Sequence, residues 1–206
     1  GVSEEHNEQL MWLRTESHKV AQTWREALEA GALQTLTRLR WVCVLQQGGV
    51  DSRQKLHEYF TFAARSGANE VCFKELYVST TAESVFHDHA SNVWSAEHQV
   101  PLSLVLDFCK SHGFVKTGEL PWGAPIYEGT WTYEGGARRL LKIAAYTEPS
   151  VFWERSRGVC RSWNYMASGE VLASLEDKDS QVDITGSSII AAAVAPAPLP
   201  RHPHNS

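Results

Sequence analysis

Leu39-Arg40-Trp41-Val42-Cys43-Val44-Leu45, followed by Gln46-Gln47-Gly48-Gly49 and, further on, Glu70-Val71-Cys72-Phe73-Lys74-Glu75-Leu76-Tyr77-Val78, decides the fold. The first and last stretches are short, nearly continuous apolar runs, the pattern of parallel strands covered on both faces. Between them the glycine-rich turn feeds a helix that starts at Asp51 or Ser52 and is stopped by Gly67. A strand, a helix and a strand in that order predict a parallel pair joined by a right-handed crossover.

Arg40, Lys74 and Glu75 interrupt these runs. A charge inside a buried strand is costly unless it is paired or lines a site. In parallel α/β barrels, inward charges near strand ends are where chemistry sits. Arg40 and Glu75 are expected on adjacent strands at the same end of the sheet, with Lys74 on the other face. Such a pair would either face a ligand or form a structural ion pair.

Outward from this unit, the pattern before it predicts a helix over residues 4–30. Ser3 is its N-cap, Leu10, Leu13, Val20, Trp24, Ala27 and Leu28 form its apolar stripe, and Gly31 stops it. In the helix over 52–66, Leu56, Phe60 and Ala63 are expected to face inward. Residues 80–99 are polar and irregular and read as a long loop. Pro101 opens a helix with Leu102, Val105, Leu106 and Cys109 on one side, closed by Gly113.

After Gly113 the texture changes. Residues 120–125 form a turn-rich break. Residues 126–133 and 140–146 alternate like antiparallel strands joined by Gly135-Gly136, and 158–166 with 170–175 reads as another hairpin around Ser168-Gly169. The chain beyond is rich in Ser, Ala and Pro and reads as disordered. The expected organisation is therefore an α/β half-barrel segment over 1–118, a β-hairpin extension over 119–180 and a disordered tail over 181–206.

Bulk properties bound the rest. The chain has 206 residues, the length of one domain or of one domain plus a tail, and short of the roughly 250 of a full eight-unit barrel. Its net charge of −5 gives no basic footprint for nucleic acid. It holds no apolar run of about 18 residues, so no membrane helix is expected. Gly-Val-Ser-Glu-Glu-His at the start is unlike a signal peptide, and the expected location is cytoplasmic.

Cys43, Cys72, Cys109 and Cys160 include no CxxC or CxxxCxxC spacing, so they read as reduced, buried thiols. His87-Asp88-His89, with His98 nearby, carries metal-capable side chains, or simply solvated loop histidines. Gln46 to Asp51 is a turn into a helix N-terminus that could take an anion, or an ordinary connection capped by Asp51 or Ser52. Arg155, Arg157 and Arg161 flank Cys160 and either grip an anion or form a solvated basic stretch.

These residues resemble a family. Residues 39–51 and 69–76 are similar to the fifth and sixth strands of radical S-adenosylmethionine enzymes, most nearly the GTP 3′,8-cyclase branch of molybdenum cofactor biosynthesis. Arg40, Val44, Gly48 and Asp51 fit a K/R-x-x-x-V-x-x-x-G-x-x-D strand, and Phe73, Glu75 and Leu76 fit an F-x-E-x strand end. Residues 159–172, from Val159-Cys160-Arg161 to Val171-Leu172, resemble the family's late cysteine, short strand, glycine turn and second strand. The similarity spans roughly residues 4–177.

The departures matter as much. The CxxxCxxC that holds the catalytic cluster is missing, as are the early strands and the glycine-rich segment that binds the methionine end of the cofactor. Cys160 fits the middle of three auxiliary cysteines, but Ser174 stands where the last is expected. The resemblance implies the C-terminal portion of a radical enzyme, inactive alone. Arg40 and Glu75 would contact S-adenosylmethionine or a small-molecule or peptide substrate. The implied 4Fe-4S cluster has no ligands in this chain and would come from an upstream segment or a partner subunit. The alternative is a non-catalytic binding or interaction module that keeps a half-barrel shape.

Overall fold

The computed structural model describes residues 17–30, 38–158, 160 and 163–183. They form two compact units, one running through Ala82 and resuming at Phe86–Pro149, the other made of Glu83–Val85 and the described residues from Ser150 onward. The first holds helix α1 (Ser17–Glu29), strand β1 (Arg40–Leu45), α2 (Arg53–Arg65), β2 (Glu70–Glu75), α3 (Ala90–His98), α4 (Ser103–Ser111), β3 (Val115–Glu119), β4 (Pro125–Thr132) and β5 (Arg138–Tyr146). The second holds α5 (Val151–Arg157), β6 (Asn164–Tyr165) and β7 (Val171–Leu172).

The strand–helix–strand reading holds. β1 and β2 pair in parallel, from Arg40 opposite Glu70 to Leu45 opposite Glu75. Ser52 caps α2, its hydroxyl accepting from the Lys55 N–H at 3.3 Å. Leu56, Tyr59, Phe60, Ala63 and Ala64 are the buried side of that helix, a spacing that follows its 3.6-residue period.

The sheet is mixed, in the order β1-β2-β5-β4-β3. β5 lies parallel to β2, and β4 and β3 follow antiparallel, so four of the five strands run the same way. The segment expected as a separate hairpin extension over 119–180 divides. Residues 125–146 complete the main sheet, and those from 150 onward belong to the second unit. The cause is burial: Leu141, Ile143 and Ala145 alternate on β5 and must share one core with Val71 and Phe73 of β2. The turn between β4 and β5 uses Gly135 and Gly136 at φ 67° and 77°, a left-handed region that suits glycine.

One face of this sheet meets the buried sides of α2 and α4. Phe60 is the hub, with ring centroids 5.0 Å from Phe108, 5.1 Å from Trp131 and 5.7 Å from Phe73 and Phe114. The other, open face carries Arg40, Val42 and Val44 of β1 exposed.

The remaining expectations differ in detail. The long loop over 80–99 contains α3, which no apolar stripe announces because none of its residues is buried. The loop before it is ordered by Asn92: its amide donates to the carbonyls of Ser79 and His87 at 2.9 Å, and its oxygen accepts from the Ser79 N–H at 2.7 Å. The N-terminal helix is described over Ser17–Glu29 only; the expected Leu10 and Leu13 lie outside the described residues. β6 and β7 form the expected hairpin around Ser168-Gly169. Of the expected tail, Gln181 bridges Leu172 and the Val182 N–H donates to Val171 O at 2.8 Å, so residues 181–183 belong to the second unit. Residues 184–206 lie outside the described set. Among the described residues no helix is long and apolar enough to cross a membrane.

Candidate functional site

The registers lay the open face out in rows. The first runs Arg40, Glu70, Lys142, Glu128 across β1, β2, β5 and β4, alternating in charge. The next runs Val42, Cys72, Ala144, Ile126, and the third Val44, Lys74, Tyr146. A charged row thus borders an apolar one.

Glu70 is the anchor of the charged row. It accepts from Arg40 Nε at 2.7 Å, meets Arg40 Nη2 at 2.5 Å and lies 3.5 Å from Arg38 Nη1. The hydrogen bond to Glu70 raises the Arg40 guanidinium above its ordinary value. Lys142 sits 3.6 Å from Glu128, an ion pair longer than a hydrogen bond.

Above the two rows lies a pocket of about 310 Å³, lined by Arg40, Glu70, Cys72, Lys142 and Ala144 on the sheet and by Trp122 and Tyr146. Trp122 stands edge-to-face on Tyr146, with centroids 5.6 Å apart and planes at 74°. Lys74 lies 5.4 Å from the centroid of the Tyr146 ring and also pairs with Glu148. Burial, aided by Glu70, raises the Cys72 thiol, and Arg40 and Lys74 only partly oppose this. At neutral pH Cys72 is a thiol and a weak nucleophile. The pocket therefore offers binding chemistry: cations, a flat aromatic corner and a small, inert floor.

Arg40 faces this pocket as its place on β1 suggests. Glu75 does not join it. The register sets Arg40 opposite Glu70 and Glu75 opposite Leu45, so the two expected site residues stand at opposite ends of the sheet. Strand alternation also reverses their faces: Lys74 shares the open face, and Glu75 accepts from the Thr147 hydroxyl at the strand end. Glu70, Cys72, Trp122, Lys142 and Tyr146 were missed. Glu70 and Lys142 carried a signal, each a charge within a stretch read as a strand.

The other candidates disperse. His89 caps α3 through Nδ1, which accepts from the Ser91 N–H at 3.2 Å; His98 Nδ1 bonds Trp94 O at 2.8 Å; His87 Nε2 lies 3.9 Å from Asp88. Among the described residues no three His, Cys, Asp or Glu side chains gather as a metal site. The turn at Gly48 is filled by its own chain, the Gly48 N–H donating to Asp51 Oδ2 at 2.7 Å. Arg155 pairs with Asp177, Arg157 lies 5.6 Å from the Trp153 ring centroid, and Arg161 is outside the described residues. Comparisons of the chain with protein-family models, curated proteins and solved structures find no match.

Proposed function

We propose that this chain is the C-terminal portion of a radical S-adenosylmethionine-type enzyme and that its open sheet face supplies substrate or cofactor contacts. The observation that carries this reading is the one-sided sheet, with helices α2 and α4 behind it and Arg40 in a pocket in front. In a half-barrel that front face would be the interior. Barrel enzymes hold their ligands at the C-terminal strand ends, whereas Arg40 and Glu70 open β1 and β2. The support therefore comes from the one-sided sheet and not from the pocket's position along the strands. The strand motifs around Arg40 and Phe73 support the same family. The buried thiols suit a reducing, cytoplasmic compartment.

A cubane cluster needs three or four convergent thiolates. Cys43, Cys72 and Cys109 are buried on three different elements, and burial pushes the Cys43 and Cys109 thiols up to about 12. These residues do not fit a cluster, and no step is routed through one. The cluster would come from an upstream segment or a partner subunit. A pocket of about 310 Å³ is at the small end of ligand sites, so it would take one end of S-adenosylmethionine and not the whole molecule. Arg40 is the pocket residue that would bind and orient that end; Glu75 would contribute only from the strand end.

A second reading, a non-catalytic binding module, draws on a separate observation. The pocket's lining, from β1, β2, β4, β5 and the 120–124 turn, offers cations and aromatic rings, and its one thiol, Cys72, is raised by burial, which suits binding more than chemistry. The decisive experiment is anaerobic iron reconstitution of the chain alone and of the chain with a CxxxCxxC-bearing upstream segment or subunit. Cluster absorption and S-adenosylmethionine cleavage are expected only for the completed protein. A stoichiometric cluster on the chain alone, or no cleavage after completion, overturns the radical-enzyme reading.

A further inference from the structure

We infer that the open-face pocket takes a small, flat carboxylate: an anionic head at the Arg40–Lys142 row and a planar apolar body under Trp122. This rests only on the part of the function reading that places a ligand on the open face, and not on the family.

The head group follows from counting donors and acceptors. Arginine offers five N–H donors and lysine three. Arg40 spends Nε and Nη2 on Glu70. Lys142 is 3.6 Å from its carboxylate neighbour Glu128, too far for a hydrogen bond. Glu70 takes both Arg40 contacts on Oε2, and Arg38 approaches its Oε1 at 3.5 Å. The row therefore has donors to spare, and the lining holds two cations against one carboxylate. Both cations reach water, with side chains 58% and 43% exposed. Within the lining a ligand ammonium would meet two cations and one carboxylate, whereas a ligand carboxylate would find the remaining donors of both cations.

The body follows from the next row. Cys72 and Ala144 are small and nearly covered, at 7% and 9% exposure. Small side chains on the floor leave a shallow slot. Trp122 and Tyr146, set edge-to-face, make an aromatic corner beside it. Ile126 closes the far end on β4. A flat apolar group suits a small floor beside two aromatic rings, on which it can stack.

Isothermal titration of the chain with 2-naphthoate, 2-naphthamide, acetate and 2-naphthyl phosphate tests this. Naphthoate is expected to bind at least tenfold tighter than its neutral amide and than acetate. The phosphate arm asks whether the head site prefers a carboxylate, and tighter phosphate binding overturns that choice. Lys142→Met should weaken naphthoate about 10- to 100-fold, the span of one or two charge-assisted hydrogen bonds. Arg40→Lys, which keeps the charge and a partner for Glu70, should weaken it less than Arg40→Met. Trp122→Ala should bring naphthoate down to the acetate level. Circular dichroism and melting confirm that each variant folds. Equal binding of naphthoate and naphthamide, unchanged binding in Lys142→Met, or no heat from any probe at millimolar concentration overturns the inference. Because the assay needs no cluster, a pocket that binds naphthoate in a completed protein that cleaves no S-adenosylmethionine would leave this inference standing and remove the family reading.

Discussion

Adding one methyl group at Gly129 should destabilise this protein, against the usual sign. Gly129 sits inside β4, opposite Leu141 of β5. Glycine in a strand interior ordinarily costs about 0.5–1 kcal/mol relative to alanine, so Gly129→Ala would stabilise a site with room. Here the added Cβ would lie 2.6, 2.7 and 2.9 Å from Cγ, Cδ1 and Cδ2 of Phe114. That ring is 5% exposed and stands at 88° against Phe60, itself fully buried among Phe73, Phe108 and Trp131. The clash is with the stiff root of an aromatic ring held by a packed hub, so relief requires moving backbone. Overpacking of this kind costs about 1–3 kcal/mol. Set against the propensity gain, the central net loss is about 1 kcal/mol, or a drop of about 2–4 °C in melting temperature for a domain of this size. Urea melts followed by far-ultraviolet circular dichroism measure it. Phe114→Leu supplies the control: combined with Gly129→Ala it should give a loss smaller than the sum of the two by about 1 kcal/mol, since contacting sites couple. A Gly129→Ala protein as stable as the parent, or strict additivity with Phe114→Leu, refutes the reasoning.

Three further outcomes are expected. Ser52→Ala should cost about 1 kcal/mol by removing the α2 cap, and Ser52→Gly only a few tenths; paired urea melts show whether the order holds. For Asp51, burial pushes the carboxyl up, but hydrogen bonds from Lys55 and Gly48 outweigh it and hold the group below its ordinary value. Its contribution is therefore full above the unfolded value near 3.9 and fades as pH falls through the lower folded value. Asp51→Asn should then cost about 1 kcal/mol at pH 7, discounted for partial exposure, and that gap to the parent should close on acidification; a gap constant from pH 7 to pH 2 contradicts the sign. Maleimide at pH 8 should modify exposed Cys160 in the folded protein and spare Cys43, Cys72 and Cys109, whereas all four should react in denaturant; prompt native labelling of Cys43 or Cys109 counts against the core packing.

How far the sequence could be read depended on range. The β1–α2–β2 unit was legible because its partners are contiguous: apolar run, capped helix, apolar run. The place of β5 beside β2 was not, because the pairing of Glu70 with Lys142 joins positions 72 residues apart, and no local pattern encodes it. α3 hid because it buries nothing, so its residues obey no stripe. The error over Arg40 and Glu75 has a simple cause. Both are lone charges in apolar runs, but a strand's register decides which end each occupies and its pleat decides which face. Five residues of register separate them, about 17 Å at the usual rise. Trp122 lay in a stretch that reads as a turn, and only the folded chain sets it on Tyr146.

The composition of the open face bears on what it is for. Taken alone, the row Arg40, Glu70, Lys142, Glu128 needs no ligand, since opposite charges placed directly across neighbouring strands stabilise a sheet by themselves. That account does not extend to the adjoining positions. A sheet face left to water alternates polar residues outward, yet Val42, Val44 and Leu140 are 51%, 46% and 62% exposed on it. A packed core would have covered them, as it covers Val71, Phe73 and Ile143 on the opposite face. On β1, at the sheet edge, apolar side chains stand open beside Cys72 and Ala144, which are nearly closed. A structural ladder explains the charges, and burial explains the floor; something seated against the face would also cover the exposed valines of β1. An apolar body held by a charged end fits that combination, and so does a covering segment of a larger protein. The naphthoate titration separates the two, because a covering segment would need the apolar rows and be indifferent to the spare donors of Lys142.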